Sequence, residues 1–537
     1  MSLSVDPRGA IHLESGPETF WSTTNIGEAL PGVVTPLGWS VWMPAIDIGV
    51  RDSFYRMGAI SKAETGKVPD TVDERVGGIF YGRACLNVNF LCAMGARLPG
   101  TSPDAIASAL LGHVPQELHG KNTYGRLPFV AARMPKALVT IRKDVIARAT
   151  PTKEWRTQWL ARMDSLDLDG ARGALDDARQ KFCEMIIVQA GGVFIGVQSV
   201  YDQLSALIKK ADLDPVAAAA IVGGQGSHAE TEIIFDLWKL GHGEMELEEF
   251  IAEHGYHGPF AGEISSHVWR EDPTPVIHLA QRYQSLPDSQ HPARQAAERT
   301  AAREEAEKVL LARLPSWQRP GAKLVLKLAV TRIPLRGVAK AAYLQSLDVV
   351  RASGRRLGVL LTEQGVLDEP DDAFYLTDAE LLGRMPAEPK MVVAERRLQR
   401  REFQRHNIPT NFNGTPEPFE ITGPEENPAD TPLSGIGASG GIVEGVVRVV
   451  HDPTFTDVEQ DEVLVCVTTD PSWASVMLLA SALVVDIGGL LSHAAVVARE
   501  IGVPCVVGTA NGTKILHTGD KVRVDGSTGA VEILSRA

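Results

Sequence analysis

The chain has 537 residues, 44% of them hydrophobic and 22% charged, and its 53 Lys and Arg against 67 Asp and Glu give a formal net charge of −14. Those proportions exclude a wholly disordered chain, and at roughly 150 residues per domain the length fits three or four domain-sized units. An acidic chain is poorly matched to coating nucleic acid or an anionic membrane, so neither is expected as a partner, although a local basic site is compatible with it.

Residues 1–18 read as a loose leader without the apolar stretch of a secretory signal. A long segment, 19–409, follows and is expected to be mostly helical. Glu154 to Leu204 and Ala293 to Leu314 carry helical patterns, the second with a charged, solvated face. Two loop-rich islands interrupt it, Asn25 to Ser40, with two Pro and three Gly, and His254 to Pro275. Residues 410–432 hold five Pro and almost no aliphatic pattern, which reads as an inter-domain linker. Beyond it, residues 433–537 alternate β-rich runs with short helices. The runs are Ile442–Val450, Val463–Thr468, Ala482–Asp486, Cys505–Gly508, Lys521–Asp525 and Val531–Leu534, with helix-like segments at Trp473–Ala480 and Ser492–Glu500. That alternation predicts a compact α/β domain and, for the whole chain, a multidomain α/β fold. No apolar run reaches the ~18 residues of a membrane span. The five cysteines, Cys85, Cys92, Cys183, Cys466 and Cys505, show no CxxC spacing. Reduced thiols in a cytoplasmic setting are the simplest reading.

The run Gly488-Gly489-Leu490-Leu491-Ser492-His493-Ala494-Ala495 carries chemistry. An apolar strand ends at Asp486 and two glycines turn the chain. Ser492 is placed to cap the next helix, with His493 in its first turn. Small alanines leave the imidazole open to an approaching group. The N–H groups of a helix start attract phosphate, and their positive end favours a neutral, nucleophilic ring near pH 7. Such a place suits a phosphohistidine. Taken alone, a His after Gly-Gly reads more readily as one that merely caps or packs at a helix start, because glycine turns are common.

The wider motif resembles a known family. Thr469-Asp470-Pro471-Ser472-Trp473, then Gly488-Gly489-x-x-Ser492-His493-Ala494-Ala495-Val496-Val497-Ala498-Arg499-Glu500-x-Gly502-Val503-Pro504, then Gly519-Asp520-x-Val522-x-Val524-Asp525-Gly526, are similar to the swivelling phosphohistidine domain of the phosphoenolpyruvate-utilizing enzymes. The resemblance implies that His493 is the phosphorylated residue, with Gly488, Gly489, Ser492 and Arg499 around the phosphate. Upstream, Asn25-Ile26-Gly27-Glu28-Ala29-Leu30-Pro31-Gly32 through Ser40, Gly255-Tyr256-His257-Gly258-Pro259, and Asp371-Asp372-x-Phe374-Tyr375 resemble the acceptor-binding domain of rifampin phosphotransferase. By that resemblance Asn25, Glu28, Thr35, Trp39, Ser40, His257 and Glu263 line an acceptor cavity, with His257 or Glu263 a candidate acid/base. Packing under the helical domain is the alternative for the first group, above all for Trp39. Plain loop structure is the alternative for the second.

Relatives of this kind place an ATP-grasp module before the acceptor domain, and true phosphoenolpyruvate users place a barrel after the histidine domain. Neither is expected here, and there is no GxxxxGK[ST] run. Phenylphosphate synthase, a relative, divides such modules between subunits, so a separate ATP-grasp subunit carrying ATP and Mg2+ is the expected partner.

Arg332, Arg336 and Lys340 recur every four residues, which on one helix places three cations on one face. Arg336 and Lys340 match an Arg/Lys pair near the transferring phosphate in rifampin phosphotransferase, where such groups offset charge on phosphoryl oxygens. A solvated basic face is the alternative. Gly337 departs from the acidic residue relatives place beside that Arg. His254, His257, Glu263 and His267 match no metal-ligand spacing, so no metal is expected. Gly223-Gly224-Gln225-Gly226-Ser227 reads as a turn.

The sequence therefore predicts the phosphohistidine-carrying component of an ATP-dependent, dikinase-type phosphotransferase serving a small hydroxylated acceptor. The alternative is a non-catalytic binding or regulatory protein that kept the fold.

Overall fold

A computed structural model describes residues 10–213, 217–218, 220–221, 228–284, 286–288, 291–420, 433–450, 462–469, 473–477, 480–489 and 492–537. The run Gly223–Ser227 lies outside them, as do residues 421–432 of the expected linker. The chain forms two compact units. The first comprises Met1–Ile195, Gly262–Ser266 and Val338–Ile421, the second Gly196–Ala261, His267–Gly337 and Thr422–Ala537.

In the first unit, β1 (Phe20–Ser22), β2 (Gly77–Phe80) and β3 (Arg83–Asn87) join an antiparallel sheet. A second, two-stranded sheet pairs β4 (His406–Asn407) with β6 (Phe419–Glu420). Between them in sequence, β5 (Asn411–Asn413) completes the first sheet in the order β2-β3-β1-β5. The start of the expected linker is thus strand, because Asn411–Asn413 supplies the edge partner that β1 needs. The leader is likewise not loose from residue 10 onward. Ile11 is fully buried, and Leu13 N–H donates to the Ile79 carbonyl at 2.9 Å. Trp21 Nε1 donates to Ser15 Oγ at 2.7 Å.

The helix Pro36–Met57 starts inside what the sequence reads as a loop. Thr35 is extended and its side chain accepts from Gly38 N–H, and Pro36 takes the first helical position. Proline there is a start signal rather than a breaker. This helix packs on Leu168–Gly191. Gly49 allows the contact, since a Cβ there would sit 3.1 Å from the Ile186 carbonyl. Trp42 meets Phe182 and Tyr343 edge-on at 4.8 and 5.8 Å.

The helical run continues from Leu168 to Lys210 through a π-helical turn at Gly192–Val197. It contains an 18-residue window of mean hydropathy 1.5, enough by length and composition to cross a membrane. No uninterrupted apolar run of that length occurs in it, because Glu184, Gln189 and several glycines interrupt the sequence. Within the protein 56% of that window is buried, as in a core helix.

The second unit holds an eight-stranded sheet. Its strands are β7 (Leu433–Ser434), β8 (Ile436–Ser439), β9 (Ile442–Val449), β10 (Val463–Cys466), β11 (Ala482–Val485), β12 (Cys505–Val507), β13 (Lys521–Asp525) and β14 (Ala530–Ser535), in the order β7-β14-β13-β9-β10-β11-β12-β8. The four central strands β9 to β12 are parallel and the others antiparallel. Alternation along each strand divides the side chains between two faces. Val463, Val465, Val484 and Val506 pack with Leu516, Val522 and Val524 on one. Leu464, Cys466, Leu483, Val485 and Val507 face the other, with Ala494, Val497 and Ala498 of helix His493–Ile501. The same core takes in Trp238 of helix His228–Gly241, Phe250 of Leu247–His254 and Tyr283 of Thr274–Gln284. A separate core joins helices Gln198–Lys210, Pro292–Arg313 and Arg319–Arg332 through Leu204, Leu310 and Leu326.

All five cysteines are free and four are buried, Cys183 being half-buried. Burial pushes the thiol of Cys92 up to about 11 and that of Cys505 to about 12.

Candidate active site

Parallel strands β10, β11 and β12 end in neighbouring loops, and in sheets of this kind ligands sit at the carboxyl ends of strands. From β11 the chain stays tied to β10. Asp486 N–H donates to the Cys466 carbonyl at 3.0 Å and Ile487 N–H to that of Val467 at 2.8 Å. Gly488 and Gly489 are buried, and Ser492 N–H closes the turn onto the Gly489 carbonyl at 2.9 Å. Ser492 is extended (ψ 160°), and its Oγ accepts from Ala495 N–H at 3.1 Å, capping the helix His493–Ile501. His493 is the first residue of that helix. This nine-residue helix, whose first N–H groups make no bond within the helix, begins four residues after Gly489.

The neighbouring loop after β12 supports this turn. Gly508 has φ +72°, and a Cβ there would lie 3.0 Å from the Gly488 carbonyl oxygen. Asp486, 6% exposed, accepts from Thr509 Oγ1 at 2.8 Å, from Thr513 N–H at 3.2 Å, and from Thr513 Oγ1. One carboxylate thus pins the loop after β11 to the loop after β12. Sequence reasoning missed it. Asp486 was read only as a strand end, and its partners lie 23 and 27 residues away.

Arg499 stands elsewhere on the same helix. It is in the last turn, about 9 Å along the axis from His493 at 1.5 Å per residue. Its Nη1 donates to the Tyr201 hydroxyl at 3.0 Å, with the guanidinium 5.8 Å from the ring centre. Gly488, Gly489 and Ser492 are therefore together, and Arg499 is at the far end of the helix.

Arg336 and Lys340 lie half-buried in the first two turns of helix Leu335–Glu363, one turn apart. Arg332 does not share that helix. It closes Arg319–Arg332, and the turn at Ile333–Pro334 separates the two. Proline interrupts the helical ladder, which the four-residue spacing alone does not reveal. Burial lowers the Arg332 guanidinium from its ordinary value.

Of the acceptor candidates, Thr35 and Glu263 meet in the first unit. Glu263 Oε2 accepts from Thr35 N–H at 3.0 Å and its Oε1 from Thr35 Oγ1 at 2.7 Å and Ser265 N–H at 3.0 Å. The Glu263 carboxylate thus sits at the start of helix Pro36–Met57, where negative charge is favoured. Trp39 is buried in that helix. Ser40 Oγ donates to the Leu37 carbonyl and accepts from Asp378 N–H, both at 3.0 Å. Asn25, at φ +67°, precedes the short turn Ile26–Ala29, which contains half-buried Glu28. His257 belongs to the second unit, buried with its ring 4.2 Å from Tyr256 and 5.7 Å from Trp269. Nearby, His254 Nε2 lies 2.8 Å from Asp236 Oδ2. That hydrogen bond, with the Lys239 ammonium, holds the Asp236 carboxyl below its usual range. Among the described residues no group of three or more His, Cys, Asp or Glu is placed to hold a metal ion.

Comparison with known proteins finds two matched segments, both lying mostly in the second unit. Residues 458–529 match the model of the PEP-utilising enzyme mobile domain, and residues 241–337 that of the rifampicin phosphotransferase fourth domain. A Mycobacterium tuberculosis protein, itself uncharacterised, is 40% identical over 216 residues, 40% of this chain and 25% of that protein. The rifampicin phosphotransferase of Streptomyces sviceus is 36% identical over 177 residues, 33% of this chain and 20% of the enzyme. The prodigiosin synthesizing transferase PigC of Serratia marcescens is 25% identical over 570 residues, 96% of this chain and 63% of the transferase. The chain thus spans between a fifth and two thirds of the length of these relatives. Two segments of the chain thus match domains of the PEP-utilising and rifampicin phosphotransferase families, and relatives named rifampicin phosphotransferase resemble it over about a third of its length.

Proposed function

We propose that this chain is the phosphohistidine-carrying component of an ATP-dependent, dikinase-type phosphotransferase. One observation carries the reading: a Ser492-capped helix begins at His493, four residues after the buried Gly489, within the segment that matches the mobile domain. In the first step a neutral His493 ring nitrogen attacks a phosphoryl group of ATP held by an ATP-grasp subunit. An N–P bond forms as the P–O bond to the nucleotide breaks, and Mg2+ accompanies the nucleotide. The N–H groups at the helix start and the Gly488–Gly489 turn receive the phosphoryl oxygens. In the second step the histidine-bearing domain meets a small acceptor, whose hydroxyl oxygen forms a P–O bond as the N–P bond to His493 breaks; the hydroxyl proton leaves to solvent and neutral His493 is restored. Arg336 and Lys340 offset charge on the phosphoryl oxygens during transfer. Residues of the first unit around Asn25, Glu28, Thr35, Trp39 and Ser40 form the acceptor's surroundings. A cytoplasmic setting suits a chain with free thiols.

Replacing His493 by Ala tests the reading. The variant is expected to lose acid-labile labelling from labelled ATP, and all turnover, while unfolding at the wild-type temperature. Labelling that survives the substitution overturns the assignment.

A further inference from the structure

Between Glu307 and Asp348 the sequence carries eight Lys and Arg and no Asp or Glu, in a chain of net charge −14. The centre of this stretch is the helix Arg319–Arg332, with four cations and no acid. One face of it is committed to the protein, since Ala322, Leu326 and Ala329 are buried with Leu204 and Leu310. The opposite face is open. Trp317, in the turn Ser316–Gln318 just before the helix, is 78% exposed, and Leu324 is 58% exposed. Seven residues apart, they fall on the same side, two turns from each other. Lys323 and Lys327 are exposed around them, and Lys210 Nζ lies 5.8 Å from the centre of the Trp317 ring.

The geometry points to this face as the docking surface for an acidic protein, and we assign that partner as the subunit that delivers the phosphoryl group to His493. The assignment rests on the phosphohistidine reading. An indole and a leucine ringed by cations have the composition of a protein hot spot, where a Trp fills a pocket and the surrounding charges set approach and register. A second copy meeting the same face would oppose cation to cation. An interfacial membrane helix exposes a continuous apolar stripe, whereas here the apolar stripe is buried in the three-helix core. Single-stranded nucleic acid is held by rows of aromatic side chains, and Trp317 is the one aromatic residue from Ser316 to Arg332. The same helix leads through Ile333–Pro334 into the turn carrying Arg336. A subunit seated on it is therefore held next to a cation assigned to the transferring phosphate.

The test follows labelling of His493 by a purified ATP-grasp protein and labelled ATP, with the ATP-grasp protein varied in concentration at low and high NaCl. For the wild type, KM for that protein should rise with salt. Lys323→Glu combined with Lys327→Glu should raise KM about tenfold or more at low salt, keep the rate at saturation, and lose the salt dependence. Trp317→Ala, at an exposed site that leaves folding intact, should raise KM without altering the salt dependence. Wild-type KM in both variants overturns the docking surface and leaves the phosphohistidine reading standing. Wild-type chain that no ATP-grasp protein labels overturns both. Salt-sensitive sedimentation with phosphatidylserine vesicles that the double variant abolishes would give the face to a membrane and overturn the assignment as well.

Discussion

The Glu263 carboxylate accepts three hydrogen bonds, two of them from Thr35 at the start of a 22-residue helix. That makes it a helix-capping group of the first unit. Glu263→Gln turns an acceptor into an amide facing these donors. It should destabilise the protein by about 1–3 kcal/mol, read as a lower thermal midpoint. Lost turnover at an unchanged midpoint would instead make Glu263 an acid/base group. Asp520 illustrates the opposite balance at one residue. Burial alone would raise its carboxyl, but hydrogen bonds from His517 N–H and Ala537 N–H and the Arg536 guanidinium at 2.7 Å outweigh it and hold the group below 3.8. A depressed carboxyl means that the unfolded state binds the proton first as pH falls. Its contribution to stability is complete above the unfolded value of 3.8 and disappears as pH drops through the lower folded value. Asp520→Asn should therefore lose stability at neutral pH and flatten the acid limb below 3.8 in an unfolding series from pH 7 to 2. An unchanged acid limb would remove Asp520 from acid stability.

At the scale of elements, close approach decides more than propensity. Helices Pro36–Met57 and Leu168–Gly191 meet where Gly49 faces the Ile186 backbone. Gly49→Val cannot be relieved by a side-chain rotation on the partner alone, because the Ile186 main chain at 3.1 Å stands almost as close as its Cγ2 at 3.0 Å. A cost of about 1–3 kcal/mol is expected, measurable as a shift in denaturant midpoint at constant slope. A midpoint within error of wild type would show that the two helices separate freely there. Elements built from local signals were legible in the sequence. Each strand expected between Ile442 and Leu534 is present, and Ser492 caps the helix that its side chain and the following alanines announce. Elements that depend on a distant partner were not. β5 exists because β1 pairs with it from nearly 400 residues away, and the Ile333–Pro334 break splits a cation spacing that looked like one helix. The candidate site divides the same way. The glycine turn, the cap and His493 are contiguous and were readable. The Asp486 clamp, the Tyr201 contact of Arg499 and the Thr35–Glu263 pairing join residues between 23 and 298 positions apart, and periodicity carries no record of them.

At the scale of the molecule, the chain crosses between its two units four times before residue 338, since Gly262–Ser266 belongs to the first while both flanks belong to the second. Neither unit before residue 338 is one continuous segment, so its cooperativity depends on pieces far apart in sequence. Folding by simple N-to-C addition is not available to such a topology, and non-local closure is expected to slow it.

The buried thiols turn that topology into something observable. Cys85 lies in the first unit and Cys466 and Cys505 in the second, all without measurable exposure. An alkylating reagent reaches each one only when its own surroundings open. Mass tags acquired at Cys85 and at Cys505 then time the loosening of the two halves separately, with no fluorophore added and no residue changed.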